Sequence, residues 1–203
     1  MTMKSVIVMV VMATCATALP HAHHTCDSYD CAAFEVLQSG EGFQLRRYGP
    51  SKWVSARGVV TRGNWLAVKR SLFLKLYDYI HGANDQSIGI SMAAPVVTKI
   101  EPETPVSPYG SLTMFFMVPF DKQENTPNPL GLDLTIVEWP AKDVYVRHFD
   151  GVARREQTLN QLSQLRSAIG DPTLYDNSYF YKAEFDPPSR RTNRHNEVWL
   201  AKI

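Results

Sequence analysis

The sequence Met92-Ala93-Ala94-Pro95-Val96, inside the largely uncharged segment 88–101, is the stretch around which the chain is organised. Small and β-branched residues with almost no charge predict a buried strand over this segment. Pro95 has no N–H to donate to a sheet ladder, so it indicates a bulge, a bend or an unpaired position. A flexible thioether beside two alanines leaves room for a flat neighbour, either a packed helix or a ligand.

Before this segment, the pattern predicts three strands and a helix. The strands cover residues 34–37, 43–48 and 52–60, and the turn 39–42 separates the first two. Asn64 is a helix-capping residue and Gly82 a natural stop, so a helix is expected between them. Its apolar side chains fall at helical spacing and then spread beyond one stripe: Trp65, Val68, Leu72, Leu76 and Tyr79, with Phe73, Leu74, Tyr77 and Ile80. This surplus apolar surface is either buried against another part of the chain or a binding site.

The second half repeats the first in outline. A strand at 112–118 ends the first half, and the polar, proline-rich stretch 121–129 separates the halves, which span about 34–120 and 130–203. Strands at 134–139 and 144–149, a helix at 153–169 and strands at 179–185 and 197–203 follow. Repetition of strand, strand, helix, strand, strand predicts a pseudo-twofold α+β fold. Two four-stranded sheets around one core would form a distorted antiparallel β-barrel flanked by two helices.

The first 18 residues have the layout of a secretory signal peptide. Lys4 precedes the apolar run 6–13, and Ala16-Thr17-Ala18 forms an A-x-A cleavage site. The run is too short to anchor the chain across a bilayer. Cleavage after Ala18 is the first choice and cleavage after Ala16 the second. We therefore expect a secreted, extracellular protein with an N-terminal tail over residues 19–33 and one domain over 34–203.

Two cysteines, Cys26 and Cys31, remain after removal of the signal peptide. An even number of cysteines in an exported chain favours a disulfide, here closing a small loop before the first strand. Three nearby histidines offer an alternative as weak copper or zinc ligands, although a solvated tail is the simpler interpretation. These histidines are His21, His23 and His24.

Composition and motifs exclude several functional classes. The formal net charge of the 203-residue chain is +1, so no global field attracts nucleic acid or an anionic membrane. The sequence Gly89-Ile90-Ser91-Met92-Ala93 is superficially similar to a nucleophile elbow, but Pro95 and more strand follow where that motif needs a helix. With no phosphate loop, paired carboxylates or zinc signature in the sequence, we expect a protein that is not an enzyme.

Several segments, taken in order, resemble the SOUL/haem-binding protein family. They are Phe34-Glu35-Val36-Leu37, Tyr48-Gly49-Pro50-Ser51-Lys52-Trp53-Val54, Met92-Ala93-Ala94-Pro95-Val96, Phe149-Asp150-Gly151, Phe185-Asp186-Pro187-Pro188 and Asn196-Glu197-Val198-Trp199-Leu200. The resemblance covers about residues 34–203. It implies a distorted β-barrel with two helices, which agrees with the repeat. It also implies non-covalent binding of haem or another tetrapyrrole, and for some members it implies protein interactions.

The resemblance places the tetrapyrrole surface along the first helix and the loop before the last strand. Carried over by position, Arg70 and Arg190 supply cations, while Phe73 and Tyr77 supply aromatic rings. This set suits a porphyrin, which is a large apolar disc with two carboxylates at its rim. The candidates for an iron ligand are His81, which is the best placed at the end of the helix, and His148, His195 and Met92.

This chain departs from the family pattern in three ways, which limit how far the functions of other members can be carried over to it. Ala93 replaces a threonine, and Arg47 stands where some members have a histidine that could ligate iron. Most relatives are cytosolic, whereas this chain has an export signal. We therefore expect haem carriage or buffering without a dedicated axial ligand. The alternatives are a protein- or membrane-interaction module whose groove takes a peptide or lipid surface, and a binder of another amphipathic molecule, as in bacterial effector-binding domains.

Overall fold

Nine strands and two α-helices make up the part of the chain that the computed structural model describes, residues 30–103, 110–187, 189–190 and 192–203. Two single-turn 3-10 helices, Phe120–Lys122 and Pro172–Leu174, lie in connecting loops. The elements in chain order are β1 (Phe34–Gly40), β2 (Phe43–Tyr48), β3 (Ser51–Val60), α1 (Trp65–Ile80), β4 (Val96–Pro102), β5 (Gly110–Met117), β6 (Leu134–Trp139), β7 (Lys142–Asp150), α2 (Arg155–Ile169), β8 (Phe180–Glu184) and β9 (His195–Ala201).

All nine strands join one antiparallel sheet in the order β1-β2-β7-β9-β8-β4-β5-β3-β6, which curls into a half-barrel. The order is symmetric about the β8–β4 pair once the edge strand β1 is set aside. Each half of the sequence gives one strand to the far side of the sheet. Strand β2 of the first half pairs with β7 of the second, and β6 of the second half pairs with β3 of the first. The predicted α+β distorted barrel with duplicated halves is therefore confirmed. The two halves share one continuous sheet rather than forming two four-stranded sheets.

The segment 88–101 is only partly a strand. A strand over 88–101 was predicted, but β4 begins at Val96, directly after Pro95. Proline cannot donate to a ladder, so regular pairing starts only beyond it. The chain before Pro95 is instead held by the tail: Ala32 donates its N–H to the Ala94 carbonyl at 3.0 Å, and Ala94 donates to the Asp30 carbonyl at 2.8 Å.

Both helices end where glycine was expected. Gly82 and Gly170 follow α1 and α2 with φ of 109° and 78°, a region that glycine enters without the steric penalty of a Cβ atom. Asn64 precedes α1 as predicted, but its side chain accepts a hydrogen bond from the Thr61 N–H at 2.8 Å and none from the helix. It therefore stabilises the turn that leads into α1.

The core has two layers, one on each face of the sheet. The helices cover the first face with aliphatic side chains such as Leu72, Leu76 and Leu165. The second face lines the inside of the curl and is rich in aromatic rings. Trp53 stacks on Trp139 at 4.6 Å between ring centroids, and Tyr48 lies 4.9 Å from Trp199.

A buried carboxylate fixes the inner face. Glu197 on β9 is fully buried and accepts hydrogen bonds from Arg46 Nη1 at 2.9 Å, His195 Nε2 at 2.8 Å and Trp199 Nε1 at 2.6 Å. Burial alone would raise the pKa of Glu197, but the hydrogen bond from His195 and the charge of Arg46 outweigh it and hold that pKa below its ordinary value. The carboxylate thus joins β2 to β9 across the intervening strand β7.

Several predictions fall outside the described residues. The signal peptide, His21, His23, His24 and Cys26 all lie before residue 30. The disulfide between Cys26 and Cys31 therefore stays a prediction. Among the described residues, no helix is long and apolar enough to cross a membrane.

We predict that Glu197→Gln lowers the free energy of unfolding by about 3 kcal/mol or more at pH 7, because the buried guanidinium of Arg46 loses its counter-charge. Since the folded pKa of Glu197 lies below its unfolded value, its contribution is present above pH ~4.3 and is lost as the pH falls further. Urea unfolding at pH 7 and pH 3 measures both effects, and the gap between wild type and variant should shrink at pH 3.

Glu138→Gln is the matched control. Glu138 is 75% exposed and lies 3.6 Å from Lys52, a pair worth about 0–1 kcal/mol. Equal losses of unfolding free energy in the two variants would show that Glu197 contributes no more to stability than an exposed carboxylate.

Candidate functional site

A pocket of about 610 Å³ lies between α1, the segment before β4 and the loop after β8. This volume is within the range of about 300–1,000 Å³ typical of small-molecule sites. We call it the α1 pocket. Its lining residues are Leu66, Lys69, Arg70, Phe73, Tyr77, Met92, Ala93, Ala94, Val96, Met114, Glu184, Phe185, Asp186, Pro187 and Arg194.

One wall of the α1 pocket is aromatic. Phe73 packs edge-on against Phe116 at 5.4 Å and lies nearly parallel to Tyr77 at 5.9 Å between centroids. Tyr77 is 41% exposed, so part of the ring faces the open side. The opposite wall contains Ala93 and Ala94, whose short side chains leave the space open. The small residues singled out in the sequence therefore border a cavity that α1 also lines.

The structure brings together three of the five predicted site residues. Arg70, Phe73 and Tyr77 all line the α1 pocket. Arg190 does not line it, but its Nη1 donates to Asp186 Oδ1, a lining residue, at 2.7 Å. His81 is outside the lining, where its ring stacks on Tyr77 at 3.9 Å and its Nδ1 bonds the Tyr77 carbonyl at 2.8 Å.

Of the candidates for an iron ligand, some line the α1 pocket and others lie outside it. Met92 lines the pocket, as do Met114 and Tyr77, which also carry atoms able to ligate iron. His148 and His195 lie elsewhere, with ring centroids 4.3 Å apart, and His195 is bonded to the buried Glu197. The lining therefore fits a flat apolar molecule with anionic substituents, with thioethers and a phenol in place of an imidazole.

Sequence reasoning missed a buried charge cluster at the inner end of the α1 pocket. Glu184 accepts from Lys69 Nζ at 2.9 Å and lies 3.0 Å from Lys182 Nζ and 4.0 Å from Arg194 Nη2. Burial alone would raise the pKa of the Glu184 carboxyl, but the charges of Lys182 and Lys69 lower it to about 2. Burial lowers the pKa of the Lys182 ammonium. One carboxylate thus faces three cations.

Arg194, in the basic loop before β9, is a buried cation. Its side chain is only 10% exposed, and among the described residues its Nε has no hydrogen-bond partner. A signal for the cluster was present in β8, where Lys182 and Glu184 alternate with apolar residues and so share one face. That face lies toward α1, because Lys69 of α1 bonds Glu184.

Comparisons with known proteins agree with this geometry. The model of the family described as SOUL heme-binding protein matches residues 29–201. The chain is 34% identical to Heme-binding protein 2 of Homo sapiens over 159 residues, which cover 78% of this chain and 77% of that protein. It is 32% identical to Heme-binding protein 1 of Mus musculus over 134 residues, covering 66% and 70% respectively.

Solved structures show the same fold at low identity. The crystal structure of the EcmrR C-terminal domain matches with a TM-score of 0.59 and 13% identity, over 79% of this chain and 96% of that one. At this identity the likeness concerns the fold alone. The sequence match, by contrast, covers nearly all of the described residues and includes both walls of the α1 pocket. The chain belongs to the SOUL heme-binding protein family.

Proposed function

We propose that this protein binds haem or another tetrapyrrole non-covalently in the α1 pocket and acts in carriage or buffering outside the cell. The observation that carries the proposal is the lining of the α1 pocket, which combines an aromatic wall with cations at its edges. Relatives named heme-binding proteins support the same ligand.

The charges around the pocket suit the propionate groups of a haem. Arg70 is exposed beside Phe73 on α1, and its guanidinium pairs carboxylates in a bidentate manner. Arg190 is 48% exposed and tied to Asp186, so an anion reaching it competes with that carboxylate. Arg70 is therefore the main partner for a propionate, and Arg190 a secondary one.

The side chains near the pocket that could ligate the iron favour a role in storage or transport. Thioether and phenol side chains line the pocket, while His81 is held on the far side of Tyr77 by its bond to the backbone. Haem bound mainly through its apolar faces and carboxylates exchanges readily, as a carrier requires. We infer that the protein has no dedicated axial ligand and no catalytic step.

We further propose that the protein is exported. The segment 1–18 carries the charged start, apolar run and A-x-A site of a secretory signal. In the oxidising compartment that follows, Cys26 and Cys31 would pair and close a loop beside β1.

Arg70→Glu should weaken haem binding at least tenfold, because it replaces the propionate partner with a repelling charge. The measurement is a titration of the protein with haem, following the Soret band to saturation. The wild type should show a one-to-one endpoint, and Phe73→Asp should also weaken binding because it places a charge in the aromatic wall.

Arg62→Glu controls for net charge, since Arg62 is an exposed cation before α1 that does not line the α1 pocket. Unchanged affinity in Arg70→Glu and Phe73→Asp would move the site elsewhere. A featureless rise without saturation in the wild type would favour the alternative, an interaction module whose groove takes a peptide or another amphipathic ligand.

Export and the disulfide are tested by intact mass. Expressed with its own leader in a secreting host, the protein should appear in the medium starting at Leu19, with two hydrogen atoms fewer than the reduced chain. Cys26→Ser should abolish that difference. Retention of residues 1–18 in a cell-associated product would refute the proposed export.

A further inference from the structure

A second cavity of about 610 Å³ lies on the helix face of the sheet, between α1 and α2. We call it the inter-helix cleft. It shares only Leu66, Lys69, Glu184 and Arg194 with the α1 pocket. Its own apolar surface comes from both helices and from the sheet floor: Trp65, Leu159, Leu162, Ile100, Leu112 and Phe180.

The charges that line the cleft are mostly positive, although the whole chain is nearly neutral. Six cationic residues line it against two acidic ones. The acids are already engaged: Glu184 by Lys69 and Lys182, and Glu101 by Lys99 at 2.7 Å. The cations are Lys69, Arg154, Arg155, Arg166, Lys182 and Arg194. Arg154 and Arg155 are exposed to solvent, so the excess positive charge inside the cleft comes from the other four cations.

Two of these cations have unused donors. Arg166 Nε and Arg194 Nε are both buried and, within the described part of the chain, have no hydrogen-bond partner. The Arg194 Nη2 atom lies 3.3 Å from the Asp186 carbonyl and 4.0 Å from Glu184. Leaving a buried charged donor unpaired costs free energy, so a site with two of them is built to receive an acceptor.

We propose that the inter-helix cleft is a second binding site, for an amphipathic carboxylate with a single long apolar body. The carboxylate binds among the cations Arg166, Lys182 and Arg194 that line the cleft and offsets their excess of positive charge. The apolar body lies between Trp65 of α1 and Leu159 of α2, where Leu159 is 40% exposed in the absence of a partner. A cationic amphiphile is disfavoured by the same excess of positive charge.

The probe for this site is sodium dodecanoate below its micellar concentration, measured by isothermal titration calorimetry with the haem-free protein. We expect saturable one-to-one binding, at least tenfold tighter than that of dodecyltrimethylammonium, which has the same alkyl chain and the opposite charge. Equal affinity for the two amphiphiles would overturn the proposal, because it would reduce the cleft to an apolar surface.

The double variant Arg166→Met/Lys182→Met should weaken dodecanoate binding at least tenfold, since both side chains line the cleft but not the α1 pocket. Lys75→Met is the control, because Lys75 bonds Asp133 at 2.6 Å and lines neither cavity. If the double variant does not fold, Leu159→Asp at the exposed rim should give a similar loss. Undiminished dodecanoate affinity in a folded cleft variant would overturn the proposal.

Haem titration of the same variants separates this site from the α1 pocket. Leu159→Asp changes a residue that lines the cleft but not the α1 pocket, so it should keep its haem affinity within threefold, and Arg70→Glu should keep its dodecanoate affinity. Loss of both ligands in Leu159→Asp would show one shared site and overturn the second one. Failure of haem to bind the wild type leaves the dodecanoate result valid, so the two proposals fail independently.

Discussion

The buried carboxylate of Glu197 is the interaction on which the arrangement of the sheet depends. Three donors from β2 and β9 converge on it, and the Arg46 guanidinium that neutralises it also lies 4.1 Å over the ring of Phe34 on β1. A charge with no access to water is tolerated only while such partners are in place. The edge strand β1 and its neighbour β2 are therefore held to β9 by a network that cannot lose one member without leaving another buried group unpaired.

The same network positions the loop that forms one side of both cavities. His195 donates its side chain to Glu197 and its backbone N–H to Asp186 Oδ2 at 2.6 Å, while Phe185 donates its N–H to the His195 carbonyl at 3.1 Å. Asp186 in turn holds Arg190. The loop is thus fixed at the start of β9, and Arg194 points under the helices rather than into solvent. Stability of the inner face and geometry of the binding face are linked through residues 194–197.

The sequence predicted the local structure well and the contacts between halves poorly. Helix stops at Gly82 and Gly170 follow from backbone freedom, and the strand at 134–139 follows from a short alternating run, so neighbours in sequence suffice. The β4–β8 pairing joins residues about eighty positions apart, and nothing local specifies it. Lys182 and Glu184 become a buried cluster only through that pairing, and Lys69 reaches them from α1. Arg70, Phe73 and Tyr77 were predictable because one helix face and a family resemblance carry them.

The α1 pocket depends on side chains that the repeat does not preserve. The segments leading into β4 and β8 occupy equivalent places in the repeat, but they carry different side chains. Ala93 and Ala94 leave space next to α1, whereas Tyr175 packs into the core before β8 and is only 4% exposed. The inter-helix cleft instead lies between α1 and α2, so both halves contribute a wall. One duplicated fold therefore offers an asymmetric pocket created by side-chain size and a central cleft created by the junction of the halves. These two sites can select different ligands, because the first presents an aromatic wall and the second a buried excess of positive charge.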